Sequence, residues 1–463
     1  MQRLTEDGLK KVAWKLALPM LAGGMLHDLF SLADMFFVGK LGPEAIAAVT
    51  VASTALSVFH VMVAGLTIGC ASLVALALGA GDRDRAALIT GQSLLLGLLL
   101  SLLVSAIGIS LAEPFLRSLG AKEAVVDMGK TYFIITAAGA VIMFTDFVLG
   151  SALRGAGDAM TPLKAIVAAN VLNLILDPLL IFGWMGFPRL GVAGSAWATL
   201  VSRWVACIYL LYIFFVRGHP ALRLRMRHIW PNMRAILDIL KIGIFGSGQV
   251  ALWILSGLAM TRFVAEFGTV PLAAFGIGMR IRMVVMMPGF GLGNAAATLV
   301  GQNVGANKMD RAIRAAWFCT GIYLACSCLV SLSSFVGAEW ICLFFTRDPG
   351  IVEEGAALLR WFSLSFIFLA PSIILGRAMN GAGDTFWPML ITAFSIIACR
   401  IPLAYHLSIS WGVVSGIWFA WVVSDFLQCA LNVGAFCGGR WQTIGLRTSQ
   451  SAPEALPVEE PLL

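Results

Sequence analysis

The tetrapeptide Gly155-Ala156-Gly157-Asp158 recurs 226 positions later as Gly381-Ala382-Gly383-Asp384, and the offset is not confined to it. Gly79, Ala80, Asp84, Arg85 and Ala86 return at the same distance as Gly305, Ala306, Asp310, Arg311 and Ala312, and Pro162 returns as Pro388. Apolar coincidences mean little in a hydrophobic chain, but clustered turn and charged residues at one offset mark an internal duplication. Outward from these loops, apolar stretches bounded by Gly, Pro and charge lie at 12–38, 46–74, 88–112, 128–152, 162–184 and 192–216. The second copy has them at 236–264, 270–300, 312–337, 356–379, 387–409 and 412–438. A bilayer core about 30 Å thick needs roughly 20 apolar residues per helix, so each stretch reads as a span. The expected fold is an all-α polytopic membrane protein, with twelve transmembrane helices in two six-helix lobes related by pseudo-two-fold symmetry. Six spans per copy start both copies on the same side, which makes the repeats parallel and leaves a cleft between the lobes. The boundaries read as an N-lobe over 1–216, a basic connector over 217–235, a C-lobe over 236–440 and a tail over 441–463. The tail is rich in Pro, Glu and Ser and is expected to be disordered.

Of the 463 residues 59% are hydrophobic and 12% charged, against about 25% charged in soluble chains, which excludes a soluble enzyme. The nine cysteines lack zinc-site or disulfide spacing; Cys70, Cys207, Cys319, Cys326 and Cys328 read as small core residues. The basic and then apolar N-terminus resembles a signal peptide, but His27, Asp28 and Asp34 interrupt the apolar run, so it reads as a retained first span. Basic residues concentrate at the termini and in the even-numbered loops, as with Lys10, Lys11, Arg83, Arg154, Arg223 and Arg311. The opposite loops hold chiefly Lys40, Arg117, Lys122, Arg189 and Arg347. The positive-inside bias then puts both termini in the cytoplasm, and it explains the basic segment from Arg217 to Arg234 without nucleic acid. No Gly-Lys-Ser/Thr phosphate loop, His-Glu-x-x-His metal motif or nucleophile constellation is present, so neither ATP use nor enzymatic activity is expected, and no cofactor.

A carboxylate at membrane depth costs about 2.5–3.5 kcal/mol on insertion scales and must face a cavity, a partner or a cation. In the first copy these are Asp28, Asp34, Asp146 and Asp177. Asn170, Asn173 and Asp177 are spaced to share one face of the fifth span, with Pro178 removing a backbone hydrogen bond beside them. His27, Ser31 and Asp34 share a face of the first span, above a hinge candidate at Pro19, Gly23 and Gly24. Where the two faces meet, neighbouring carboxylates that cannot both ionise cheaply can hold a proton, and the same oxygens can hold Na+. The second copy has arginines instead, at 262, 280, 282, 360 and 400, with Asp425 as its one evident acid. Arg400 or Arg203 is the expected partner of Asp425, and a cleft-facing arginine would favour anionic or zwitterionic substrates. Met279, Met283, Met286 and Met287 fall largely on one face of the eighth span, before Pro288. Met283, Met286 and Met287, with Gln249 of the seventh span, are the candidate substrate-cleft residues.

These motifs together resemble the multidrug and toxic compound extrusion family over about residues 8 to 440. They are Ala33-Asp34-Met35-Phe36-Phe37-Val38-Gly39 with Leu41-Gly42, Arg154-Gly155-Ala156-Gly157-Asp158 with Pro162, Leu172-Asn173 followed by Asp177-Pro178, and Val300-Gly301-Gln302-Asn303-Val304-Gly305-Ala306. The resemblance is closer to the DinF-like branch, because the seventh and tenth spans carry no central acid. It implies export of amphipathic, often cationic, compounds by alternating access in antiport with H+ or Na+ at the cytoplasmic (inner) membrane, by a monomer. It also implies a cation-coupling set of Asp34, Asn173 and Asp177, with Na+ as the metal those residues would hold, and Tyr132 of the fourth span nearby. The alternative is a lipid-linked saccharide flippase of the same superfamily, whose pyrophosphate would suit cleft arginines.

Overall fold

The computed structural model describes residues 4–118 and 123–450. With no water to satisfy backbone polar groups inside a bilayer, such a chain must close its hydrogen bonds within helices, and the described residues are almost entirely helical. The first copy forms α1 Leu9–Gly39, α2 Pro43–Gly79, α3 Arg83–Ser118, α4 Glu123–Ala138, α5 Ala140–Gly155, α6 Met160–Phe182 and α7 Val192–Leu211. The second forms α8 Met233–Ala265, α9 Thr269–Gly305, α10 Met309–Val336, the short α11 Ala338–Phe345, α12 Pro349–Gly381, α13 Phe386–Ala393, α14 Ile401–Trp411 and α15 Ser415–Cys437. A final helix, α16, runs over Arg440–Gln450. The fourth span is α4 and α5 together, bent by 49° at Gly139. The eleventh is α13 and α14 joined through a π-helical turn at Phe394–Arg400. The result is a twelve-span protein of two six-helix lobes.

Turn chemistry explains why the Gly-Ala-Gly-Asp loop occurs in both copies. Gly157 and Gly383 have φ of +83° and +88°, in the left-handed region that closes a helix and favours glycine. Their amides return to the carbonyls of Arg154 and Asn380 at 2.9 Å each. The aspartate then starts the next helix: Asp158 Oδ1 accepts from the amides of Met160 and Thr161, and Asp384 Oδ1 from that of Trp387.

Contacts between the lobes obey the same offset. A Cβ on Gly79 would lie 2.2 Å from the carbonyl oxygen of Gln302, and one on Gly305 would lie 2.1 Å from that of Leu76. Ser72 donates to the Asn380 carbonyl at 2.7 Å, and Thr298 donates to the Arg154 carbonyl at 3.0 Å. Each pair is the symmetry mate of the other, so the axis passes between them. These contacts lie at the end that carries both termini, where Val12, Leu16 and Met20 of α1 also join the C-lobe core. Beyond Gly24, α1 leaves Met25, Leu29, Leu32 and Phe36 more than half exposed. The lobes are thus joined at the terminal end.

Three expectations change. Residues 441–450 are not a disordered tail but most of α16, whose Trp441 is fully buried against Phe436 with ring centroids 4.9 Å apart; residues 451–463 lie outside the described residues. Cys326 and Cys328 are exposed rather than in the core, because they flank the narrow buried stripe of α10 at Ser327, whereas Cys70, Cys207 and Cys319 are buried. Arg203 pairs with Asp146 at 3.3 Å, not with Asp425, because its helix α7 packs within the N-lobe beside α5.

Candidate functional site

The two polar faces expected in the first copy do meet. Asn170 on α6 donates to the Leu26 carbonyl of α1 at 2.8 Å, fixing the two helices side by side. Further along, Asp34 of α1 is 8% exposed and accepts a 2.5 Å hydrogen bond from Ser195, in the first turn of α7. One turn after Asn173, Asp177 is fully buried, and Asn173 donates to its Oδ1 at 3.3 Å. Among the described residues the other oxygen, Oδ2, has no hydrogen-bond partner. Asp34 and Asp177 are close enough to interact electrostatically, and both act on Tyr132 of α4, which is buried beside Ser53 of α2. Five helices of the N-lobe therefore bring two carboxylates, an amide, two hydroxyls and a phenol together, in the half of the lobe away from the termini. Ser195 and Ser53 were not singled out from the sequence; hydroxyls in ordinary helical runs give no signal until a carboxylate is found opposite them. Ser31 is exposed, and the side chains of His27 and Asp28 lie outside the described residues.

The other buried acids have partners. Asp146 meets Arg203. Asp425 is held by Arg282 at 2.7 Å and Arg400 at 2.6 Å, and by the Ser365 hydroxyl. Arg400 also donates to Ser424 and Ser256, and both guanidinium groups lie over the Trp421 ring. A carboxylate engaged by two guanidinium groups and a hydroxyl has its charge met within the lobe. Arg262, Arg280 and Arg360 are exposed, Arg360 pairing with Glu339 at 2.8 Å. At the 226-residue offset, Met260, Cys399 and Leu403 stand where the N-lobe has Asp34, Asn173 and Asp177. The carboxylate site has no counterpart in the C-lobe.

The cleft candidates separate. Met287 lines a cavity of about 260 Å³ between the lobes, with Phe290 and the Asp146–Arg203 pair. Met286 packs against the C-lobe core, and Met283 is 64% exposed without lining that cavity. Gln249 is tied down, exchanging hydrogen bonds with Asn380 at 3.3 Å and donating to the Thr385 carbonyl.

The MatE family model matches residues 19–179 and 247–406, one segment in each copy. This chain belongs to the MatE family. Among similar proteins, "Probable multidrug resistance protein NorM" of Thermotoga maritima is 27% identical, with 96% of each chain covered. "FAD transporter" of Shewanella oneidensis is 28% identical over 85% of this chain and 87% of its own. A solved structure described as "MATE in the bent conformation" superposes with a TM-score of 0.89 at 25% identity, covering 96% of this chain and 98% of that one. In this MatE chain the family match takes in the buried pair Asp34 and Asp177 and the two loops that share the Gly-Ala-Gly-Asp turn.

Proposed function

We propose that this protein exports small amphipathic organic molecules across the cytoplasmic membrane, in exchange for H+ or Na+ bound in the N-lobe at Asp34, Asn173 and Asp177. Multidrug transporters among its relatives support the first half of that reading. The observation that carries the second is the Asp177 Oδ2 atom, fully buried and without a partner next to a second carboxylate. An unpaired anionic oxygen at that depth is stable only when neutralised, and a proton or a small hard cation supplies the missing charge. Among the oxygens present, those of Asp34, Asp177 and Asn173 suit Na+, while the hydroxyls of Tyr132 and Ser195 can support either ion.

Binding a cation removes the repulsion between Asp34 and Asp177 and lets α1 and α6 close on each other. Pro19 lies inside α1 and removes one of its backbone hydrogen bonds, so α1 has a point at which to bend when its distal half moves toward α6. The bend redistributes the population between the two access states. The lobes, joined at the terminal end, correspond to the outward-facing state when both termini are cytoplasmic, as the basic loops favour. With no acid in the centre of α8 or α12, coupling rests on the N-lobe, in keeping with a DinF-like member acting as a monomer without a cofactor. A lipid-linked saccharide flippase is not favoured, since the similar proteins are described as multidrug and FAD transporters.

The test is efflux from proteoliposomes under an imposed proton or sodium gradient. Asp34→Asn and Asp177→Asn should each abolish gradient-driven movement while leaving the protein folded. Undiminished efflux in both variants overturns the coupling site.

A further inference from the structure

Two cavities meet at the joined end of the cleft. The smaller, about 80 Å³, lies on the pseudo-two-fold axis. Its walls include Ser72 with Asn380, and Thr298 with Arg154, the two symmetric hydrogen-bonded pairs that cross between the lobes. Arg154 comes from α5 of one lobe and Arg377 from α12 of the other, so an arginine from each lobe lines one small cavity. The larger cavity shares Arg154 and Asn294 with it and adds an apolar wall at Pro19, Met20, Met287 and Phe290.

The charges in this space do not balance. Asp146 pairs with Arg203 and also acts electrostatically on Arg154, so one carboxylate stands against three arginines and, among the described residues, none acts on Arg377. Arg377 has a long hydrogen bond to Asn294 Oδ1, 3.4 Å, and lies over the Phe290 ring at 5.5 Å. Among the described residues no carboxylate reaches ion-pair distance of Arg377 or Arg154. The other deep arginines of the C-lobe differ, since Arg282 and Arg400 are both engaged by Asp425. Withdrawing a guanidinium from water without a counter-charge is costly. Two of them from opposite lobes around one cavity form a fork suited to bidentate binding of a phosphate or carboxylate.

We infer that Arg154 and Arg377 form a receptor on the symmetry axis for the phosphate or carboxylate group of an amphipathic organic anion, whose apolar body lies against Met20, Met287 and Phe290. The inference rests on the export reading and names a substrate class for it. Because each lobe contributes one arginine, an anion bridging them stabilises the state in which the lobes are joined at this end, which links occupancy to the access equilibrium.

The test uses the full chain in phosphatidylcholine nanodiscs without any ion gradient, so that it reads the arginines whether or not Asp34 and Asp177 couple transport. Flavin mononucleotide and riboflavin, which differ only in a phosphate, are titrated by fluorescence. The expected result is flavin mononucleotide binding at least tenfold tighter than riboflavin. Arg377→Gln and Arg154→Gln should each bring it down to the riboflavin level with riboflavin binding unchanged. Arg377→Lys should keep part of the preference, and Arg360→Gln, on the exposed surface, all of it. Equal affinity for the two flavins in the parent overturns the proposal, as does a phosphate preference that survives both glutamine variants. Competition by millimolar inorganic phosphate supports a receptor for soluble anions. Displacement by phosphatidylglycerol in the nanodisc but not by phosphate assigns the arginines to a lipid headgroup and overturns the soluble-anion form.

Discussion

Asp177 and Asp34 differ in how the fold satisfies them, and the difference assigns them different tasks. Ser195 already holds one oxygen of Asp34, whereas Asp177 keeps Oδ2 unpartnered among the described residues; on the proposed coupling, Asp177 is the stronger acceptor for an incoming cation. One charge moving through 100 mV supplies about 2.3 kcal/mol and sustains roughly a 50-fold concentration ratio. Asp177→Asn should therefore reduce substrate accumulation from roughly that ratio to equilibration, read as steady-state dye distribution in vesicles. Ser195→Ala should leave accumulation in place but change its dependence on pH or sodium, because Asp34 loses its donor. Asp158 shows that an acid can be conspicuous in the sequence and still be structural. It lies in the loop between α5 and α6, where burial disfavours its charge, but hydrogen bonds from His219 and Thr161 outweigh burial and hold it down to about 2. With the folded value depressed, its stabilisation is complete above about 4, the ordinary aspartate range, and is lost as pH falls toward about 2. Asp158→Asn should lower the thermal midpoint in detergent at pH 7, and the gap to the parent should close as the pH approaches about 2.

Helix termini decide how the lobes meet. Gly79 ends α2 and Gly305 ends α9, and each lets the other lobe's backbone approach to a distance no Cβ tolerates. Because the lobes separate here in the opposite access state, Gly79→Ala and Gly305→Ala penalise only the joined one. Overpacking costs about 1–3 kcal/mol, enough to shift the equilibrium about fivefold or more toward the other state. The rate of thiol labelling at a cysteine placed in the terminal-side interface should rise accordingly. α16 braces the same end: Arg85 of α3 donates to the Thr448 carbonyl at 2.7 Å, and Gly445 rests against Val304 and Ala382. Deleting residues 438–463 should loosen that end and produce the same labelling phenotype with the helical core intact by circular dichroism.

The whole molecule is a symmetric frame with asymmetric contents. The offset that relates the loops also relates the lobe contacts, yet the N-lobe carries Asp34, Asn173 and Asp177 where the C-lobe carries Met260, Cys399 and Leu403. The proposed coupling in one lobe and an ion-pair core in the other fit a machine in which one half responds to the ion while the other resists. Cross-linking the lobes at the joined end, with cysteines at Ser72 and Asn380 and a short bifunctional reagent, should stop transport reversibly and leave ion-site occupancy intact.

Much of this was legible beforehand. Span number, the duplication and the shared face of Asn173 and Asp177 follow from hydropathy and helical spacing, which are local properties of the chain. The bend at Gly139 and the helix over Arg440–Gln450 were not, because the first depends on neighbouring helices and the second on Trp441 finding Phe436 to cover it. The methionine face was legible as a face but not as a wall, since only packing decides which of its members turn toward the C-lobe core and which toward the cleft. By itself the sequence determined a two-fold repeat of membrane helices with acids in one copy and arginines in the other, because burial energetics act on each span alone. Only the tertiary structure decided that Asp425 is spent on two arginines, that Asp177 has an oxygen to spare, and that Arg154 and Arg377 line one cavity between the lobes. A charge's role depends on what lies within a few ångströms of it, and those neighbours come from helices far apart in the chain.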